Sequence, residues 1–199
     1  MSSENTNIIE LPDMCSDKHS LPLGRLLVRR ILGLSLFLCG ITLLYEQEAV
    51  RECEAWIAKS IVNVGSFVFA PAVAKGSTVY LHMGPTAVQG FTITPECTSA
   101  FLIAPLLLIA GVMLTTLARA SMLRLICAVL AAAALLFIVN QTRVLMIAEF
   151  VRRWGVNDGY PLSHRVLGSV LVIAAVVVAY ALLFIISCRH RRQPIDIEA

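Results

Sequence analysis

From Ile31 to Tyr45, from Thr98 to Ala118 and from Val166 to Ser187 the chain carries no charged residue. Few features constrain a fold more tightly. A helix of about 20 apolar residues spans the ~30 Å hydrocarbon layer of a bilayer, and a helix satisfies its own backbone polar groups where no water is available. Composition agrees, since 58% of the 199 residues are hydrophobic, against about 45–50% in an average soluble domain. The chain reads as an integral membrane protein.

Four spans are expected, at roughly Leu26 to Tyr45, Thr98 to Ala118, Met122 to Val139 and Val166 to Ser187. The expected fold class is therefore an all-α polytopic membrane protein with about four transmembrane helices. Short basic loops stay in the cytoplasm. Arg25, Arg29 and Arg30, then Arg119 and Arg124, then Arg189, Arg191 and Arg192 fall on one side of a four-span chain. Both termini are thus expected in the cytoplasm of a multi-pass plasma-membrane protein. Arg143, Arg152, Arg153 and Arg165 lie on the other side, against the rule, and draw attention to that loop. Residues 1–24 read as a disordered tail, 25–187 as the membrane-embedded domain and 188–199 as a second tail. No small-x-small site precedes Glu46, so the first span reads as a retained anchor.

The outer loops have a texture of their own. From Glu46 onward, Val50, Cys53, Trp56, Ile57, Ile61 and Val64 recur at steps of three and four. This is the stripe of an amphipathic helix, expected to lie on the outer membrane face. STVYLHM and GFTIT, separated by Gly84 and Pro85, are short and rich in β-branched and aromatic residues. They predict a small β-hairpin that delivers Cys97 to the head of the second span.

Candidate chemistry gathers at that outer boundary. Cys39 and Cys127 lie within spans and read as small packing residues; Cys15 and Cys188 belong to the cytoplasmic side, where Cys188 is a weak palmitoylation candidate. Cys53 and Cys97 remain outside. They either form a disulfide or differ in role. Glu52 and Glu54 flank Cys53 and disfavour a thiolate, whereas Cys97 heads a helix whose dipole and free N–H groups favour one. Arg143, in NQTRVLMIAEF, is costly near a membrane lip unless it is used or snorkels to lipid phosphates. His164 stands just before the fourth span as Cys97 stands just before the second. One Cys and one His are too few ligands for a metal, and no cofactor motif is present.

At these residues the sequence resembles the exosortase/archaeosortase family of membrane transpeptidases. The family pattern is Cys-Ser/Thr-Gly heading one span, Asn-x-x-Arg ending another, and a His before a late span. Cys97-Thr98, Asn140 to Arg143, and His164 with Gly168 match it in order, membrane side and spacing across roughly Gly84 to Phe184. Ser99 departs from it, standing where the family usually has Gly. The resemblance implies a cysteine transpeptidase or peptidase with Cys97 as nucleophile, His164 as acid and base, and Arg143 on the oxyanion. Asn140 would orient the guanidinium and Thr98 would support the nucleophile. The implied substrate is an exported protein with a C-terminal signal of short motif, apolar helix and basic cluster. It would be cleaved before that helix and its new carboxyl end passed to an amine acceptor. Membrane lipids are expected as partners and nucleic acid is not; neither metal nor cofactor is implied. Two alternatives stay open: a non-catalytic four-span assembly or transport subunit, and a protease without a transfer step.

Overall fold

The computed structural model describes residues 23–65, 72–82, 88–116 and 121–188. Most of both expected tails, the Gly84-Pro85 turn and part of the turn after the second span lie outside them. In chain order the elements are α1 (Leu23–Tyr45), α2 (Gln47–Gly65), β1 (Val73–Lys75), β2 (Thr78–His82) and β3 (Val88–Thr92). A 3₁₀ turn (Pro95–Cys97), α3 (Ser99–Thr116), α4 (Met122–Pro161), a π-type stretch (Leu162–Leu167) and α5 (Gly168–Cys188) follow.

Three helical stretches are long and apolar enough to cross a membrane: Leu23–Tyr45, Ser99–Thr116 and the continuous run Met122–Ser187. The last contains both the third and the fourth expected spans. It is not straight, because Gly155 has φ 73° and ψ 174° and breaks the helix there. From Met122 to Trp154 the helix rises about 50 Å at 1.5 Å per residue. That exceeds the ~30 Å hydrocarbon layer, so the upper part of α4 is longer than a span requires. The apolar pattern that ended at Val139 hid this, because Asn140 to Arg143 look like a loop but continue the helix.

Two hydrophobic cores are stacked along α4. The first joins Leu106, Leu114, Leu125, Leu136, Ala179 and Leu183 from α3, α4 and α5, with Leu32, Leu36 and Leu43 of α1 against it. Arg29 is buried on this side, and its Nε donates to the carbonyl of Leu114 at 2.6 Å, capping the last turn of α3. The second core joins Ala55 and Ala58 of α2, Val79, Leu81 and Phe91 of the sheet, Cys97, and Val144, Ile147 and Val151 of upper α4. Asn140 and Arg143 lie between the two cores along α4. That junction holds the candidate site.

The expected hairpin is a three-stranded antiparallel sheet, ordered β1-β2-β3. The additional strand, Val73–Lys75, pairs Ala74 with Val79; at three residues it is too short to show an alternating pattern. Across β2 and β3, Val79 opposes Phe91 and Tyr80 opposes Gly90. Val79, Leu81, Phe91 and Ile93 turn inward while Tyr80 turns out, the period of two expected of a half-buried sheet.

α2 is amphipathic, but with two working faces. Cys53, Trp56, Ile61 and Val64 of the expected stripe remain exposed. The face that packs is Glu54, Ala55 and Ala58, and the small side chains of the two alanines let the helix approach the sheet and α4 closely. Cys39 and Cys127 likewise correct the sequence reading: both face outward from the bundle instead of filling its core.

Candidate active site

The turn that carries Cys97 is built by β3. Ile93 N–H donates to Ser77 O at 2.9 Å, holding the strand's end to the sheet. Pro95 then opens a single 3₁₀ turn, closed by Cys97 N–H to Thr94 O at 2.9 Å. Thr98 is extended, with φ −85° and ψ 143°, and acts as N-cap of α3: its Oγ1 accepts from Ala100 N–H at 3.3 Å. Cys97 and Cys53 are both free thiols, Cys97 being 3% exposed and Cys53 open.

Cys97 Sγ lies 2.8 Å from Nε2 of His164, 67 residues away in the chain. His164 is carried by the π-type stretch, in which Gly168 N–H reaches back to Ser163 O. Such wide turns are rare and recur at functional sites. The ring is held from behind by Tyr160, stacked on it with centroids 5.0 Å apart and planes 15° apart. Burial pushes the pKa of His164 down, and the positive charge of Arg143 adds to the effect. The imidazole is therefore neutral near pH 7 and able to take the thiol proton.

Arg143 is 5% exposed. Its Nη1 lies 3.5 Å from the carbonyl of Glu96, the residue before Cys97, and its Nε has no hydrogen-bond partner among the described residues. Gly168 makes room for it, since a Cβ there would come within 2.6 Å of that Nε. Asn140 does not turn to Arg143, as the sequence reading had it. Its Nδ2 donates to the carbonyl of Cys97 at 2.9 Å and faces Oε1 of Glu54 at 3.3 Å. The structure thus brings Cys97, His164, Arg143, Asn140 and Thr98 to one place.

Two further residues belong to this constellation and were missed. Tyr160 falls in a loop-like sequence, DGYPL, with no periodicity to mark its face. Glu54 reads as one of several acids on a surface helix, yet it is 1% exposed. Its Oε1 accepts from Ser99 N–H at 2.7 Å, at the head of α3. The expectation of free N–H groups beside the thiol therefore changes: the Ser99 N–H is held by Glu54 and the Ala100 N–H by Thr98.

A thiol, a neutral imidazole and a buried guanidinium are the parts of acyl transfer through a cysteine. A model of the transmembrane exosortase (Exosortase_EpsH) family matches residues 22–184. The chain belongs to that family. No curated protein and no solved structure matches it. The family match runs from α1 into α5, so the whole bundle of this exosortase, and not the Cys97 turn alone, carries the likeness. Ser99, where the family usually has Gly, begins α3 with ordinary backbone, for no non-glycine among the described residues has positive φ. Nothing at position 99 demands glycine.

Proposed function

We propose that this exosortase is a cysteine transpeptidase that cleaves a C-terminal sorting signal of exported proteins at the outer lip of the plasma membrane. The observation that carries the proposal is the 2.8 Å approach of Cys97 Sγ to His164 Nε2 beside the buried Arg143. His164 Nε2 takes the Cys97 proton as the sulfur attacks the scissile carbonyl carbon. The carbonyl electron pair moves onto oxygen, where Arg143 stabilises it in a site shielded from water. Collapse breaks the C–N bond, the leaving amine takes the proton from His164, and a thioester on Cys97 remains. An acceptor amine gives a proton to His164 and attacks the thioester, the thiolate leaves, and an amide replaces it. Splitting one difficult displacement into two is the gain of covalent catalysis.

The arrangement suits a substrate anchored by its own helix. Four crossings, with Met122–Ser187 read as two, put both termini in the cytoplasm and the junction of the two cores at the outer lip. A peptide bond just outside a transmembrane anchor then stands level with Cys97.

The test is to co-express the chain with an exported protein carrying such a signal and search for a thioester by mass spectrometry. The parent should yield an adduct on the Cys97 peptide that hydroxylamine releases, together with a shortened substrate. Cys97→Ser and His164→Ala should be equally abundant and leave the substrate whole. Processing that continues in Cys97→Ser would sink the proposal.

A further inference from the structure

The mechanism above leaves one buried titratable group without a task. Glu54 reaches from α2 into the junction, and its Oε1 meets two elements at once: Ser99 N–H of α3 at 2.7 Å and Asn140 Nδ2 of α4 at 3.3 Å. Asn140 in turn holds the carbonyl of Cys97 at 2.9 Å. One carboxyl oxygen thus ties three helices together directly beneath the nucleophile turn. We propose that Glu54 is a positioning residue for Cys97, a hydrogen-bonding brace that fixes the head of α3 and the Asn140 amide against the turn carrying the thiol. The proposal rests on the transpeptidase reading for its catalytic meaning and on geometry alone for the brace.

The chemistry of the site suits a hydrogen-bonding brace. A buried carboxylate is stable only if paired with a cation or richly hydrogen-bonded. No salt bridge to Glu54 is formed among the described residues, and its Oε2 meets no hydrogen-bond partner there. Burial raises its pKa, opposed by Ser99, Thr98 and Asn140. The Ser99 hydroxyl is among the groups that lower its pKa, so the residue that departs from the family pattern is matched to this carboxyl.

Amide hydrogen exchange on the full-length chain in nanodiscs tests the brace without any substrate. Glu54→Ala should speed exchange across the head of α3 about tenfold or more, because opening there becomes local. Glu54→Gln keeps a carbonyl acceptor and should restore the protection. Parent-like protection in Glu54→Ala overturns the proposal. Should Glu54→Ala fail to fold, Glu54→Gln decides: retained protection supports a hydrogen-bonding brace, and lost protection overturns it. Thioester formation then links brace to chemistry, with a fall in kcat at unchanged KM in Glu54→Ala and recovery toward the parent in Glu54→Gln. A parent that never forms a thioester, with exchange still dependent on Glu54, defeats the transpeptidase reading but not the brace.

Discussion

At the scale of single residues, the site depends on how closely Arg143 and His164 are confined. Gly168 touches the guanidinium, so Gly168→Ala should force Arg143 aside. A displacement of about 1 Å at a reacting centre costs on the order of 100-fold in rate. We therefore expect thioester formation to fall by roughly that factor, measured in single turnovers, while the protein remains as abundant as the parent. An unchanged rate would mean that Arg143 is not needed where it stands. The protonation of His164 gives a second expectation. Burial first, and Arg143 next, hold its pKa below the ordinary value. The catalytically competent form is the neutral ring, so activity is present above that lowered pKa and is lost as pH falls through it. The acid limb of the pH–rate profile should consequently lie below about 6.5, the unperturbed histidine value. A limb at or above that value would place the controlling group elsewhere. Cys97, Arg143 and His164 were legible as candidates because each is an unusual residue at a membrane boundary. Glu54 and Tyr160 were not, because their roles come from what they touch and not from their type.

At the scale of elements, the kink at Gly155 decides where His164 stands. Its φ of 73° with ψ of 174° lies in a region open essentially to glycine alone. Gly155→Ala should destabilise the protein by about 1–3 kcal/mol, read as a lowered thermal midpoint in detergent. It should also lower activity, because Tyr160 and His164 follow directly from the reversal. The two faces of α2 make a contrasting pair. Ala58 is buried in the second core, and Ala58→Leu should overpack it and cost about 1–3 kcal/mol. Trp56 is 61% exposed, so Trp56→Ala should leave the thermal midpoint nearly unchanged and weaken seating of the helix on vesicles, measured by quenching of fluorescence with brominated lipids. Equal destabilisation by both substitutions would contradict the assignment of faces. The helical period of α2 could be read from the sequence. Which of its faces meets protein could not, since Ala is mild on any hydrophobicity scale and a buried Glu looks like an exposed one.

For the whole molecule, the number of crossings sets both the orientation and the side from which the thiols are reached. A four-crossing reading predicts that tags at both ends are protected from impermeant reagents in intact cells, while exposed Cys53 reacts from outside. Cys97 is 3% exposed and should react far more slowly than Cys53 with a bulky maleimide. Protection of Cys53, or reaction at one terminus, would require a different number of crossings. Three of the four arginines that stood against the positive-inside rule also find occupations. Arg143 is turned into the site, while Arg152 and Arg153 both clasp Glu149, Arg152 at 2.6 and 2.8 Å. That pairing holds the Glu149 carboxyl down at about 2. The membrane character, the amphipathic helix, the strand-rich loop and the three catalytic candidates were determined by the sequence alone, because each rests on a local quantity: the length of a charge-free run, a period, or an ionisable group beside apolar residues. The continuous α4, the third strand, the burial of Glu54 and the redirection of Asn140 from Arg143 to the Cys97 carbonyl were decided only by the tertiary structure. Those depend on which surfaces meet across the junction of the two cores, and a buried polar group takes whatever partner that packing leaves within reach.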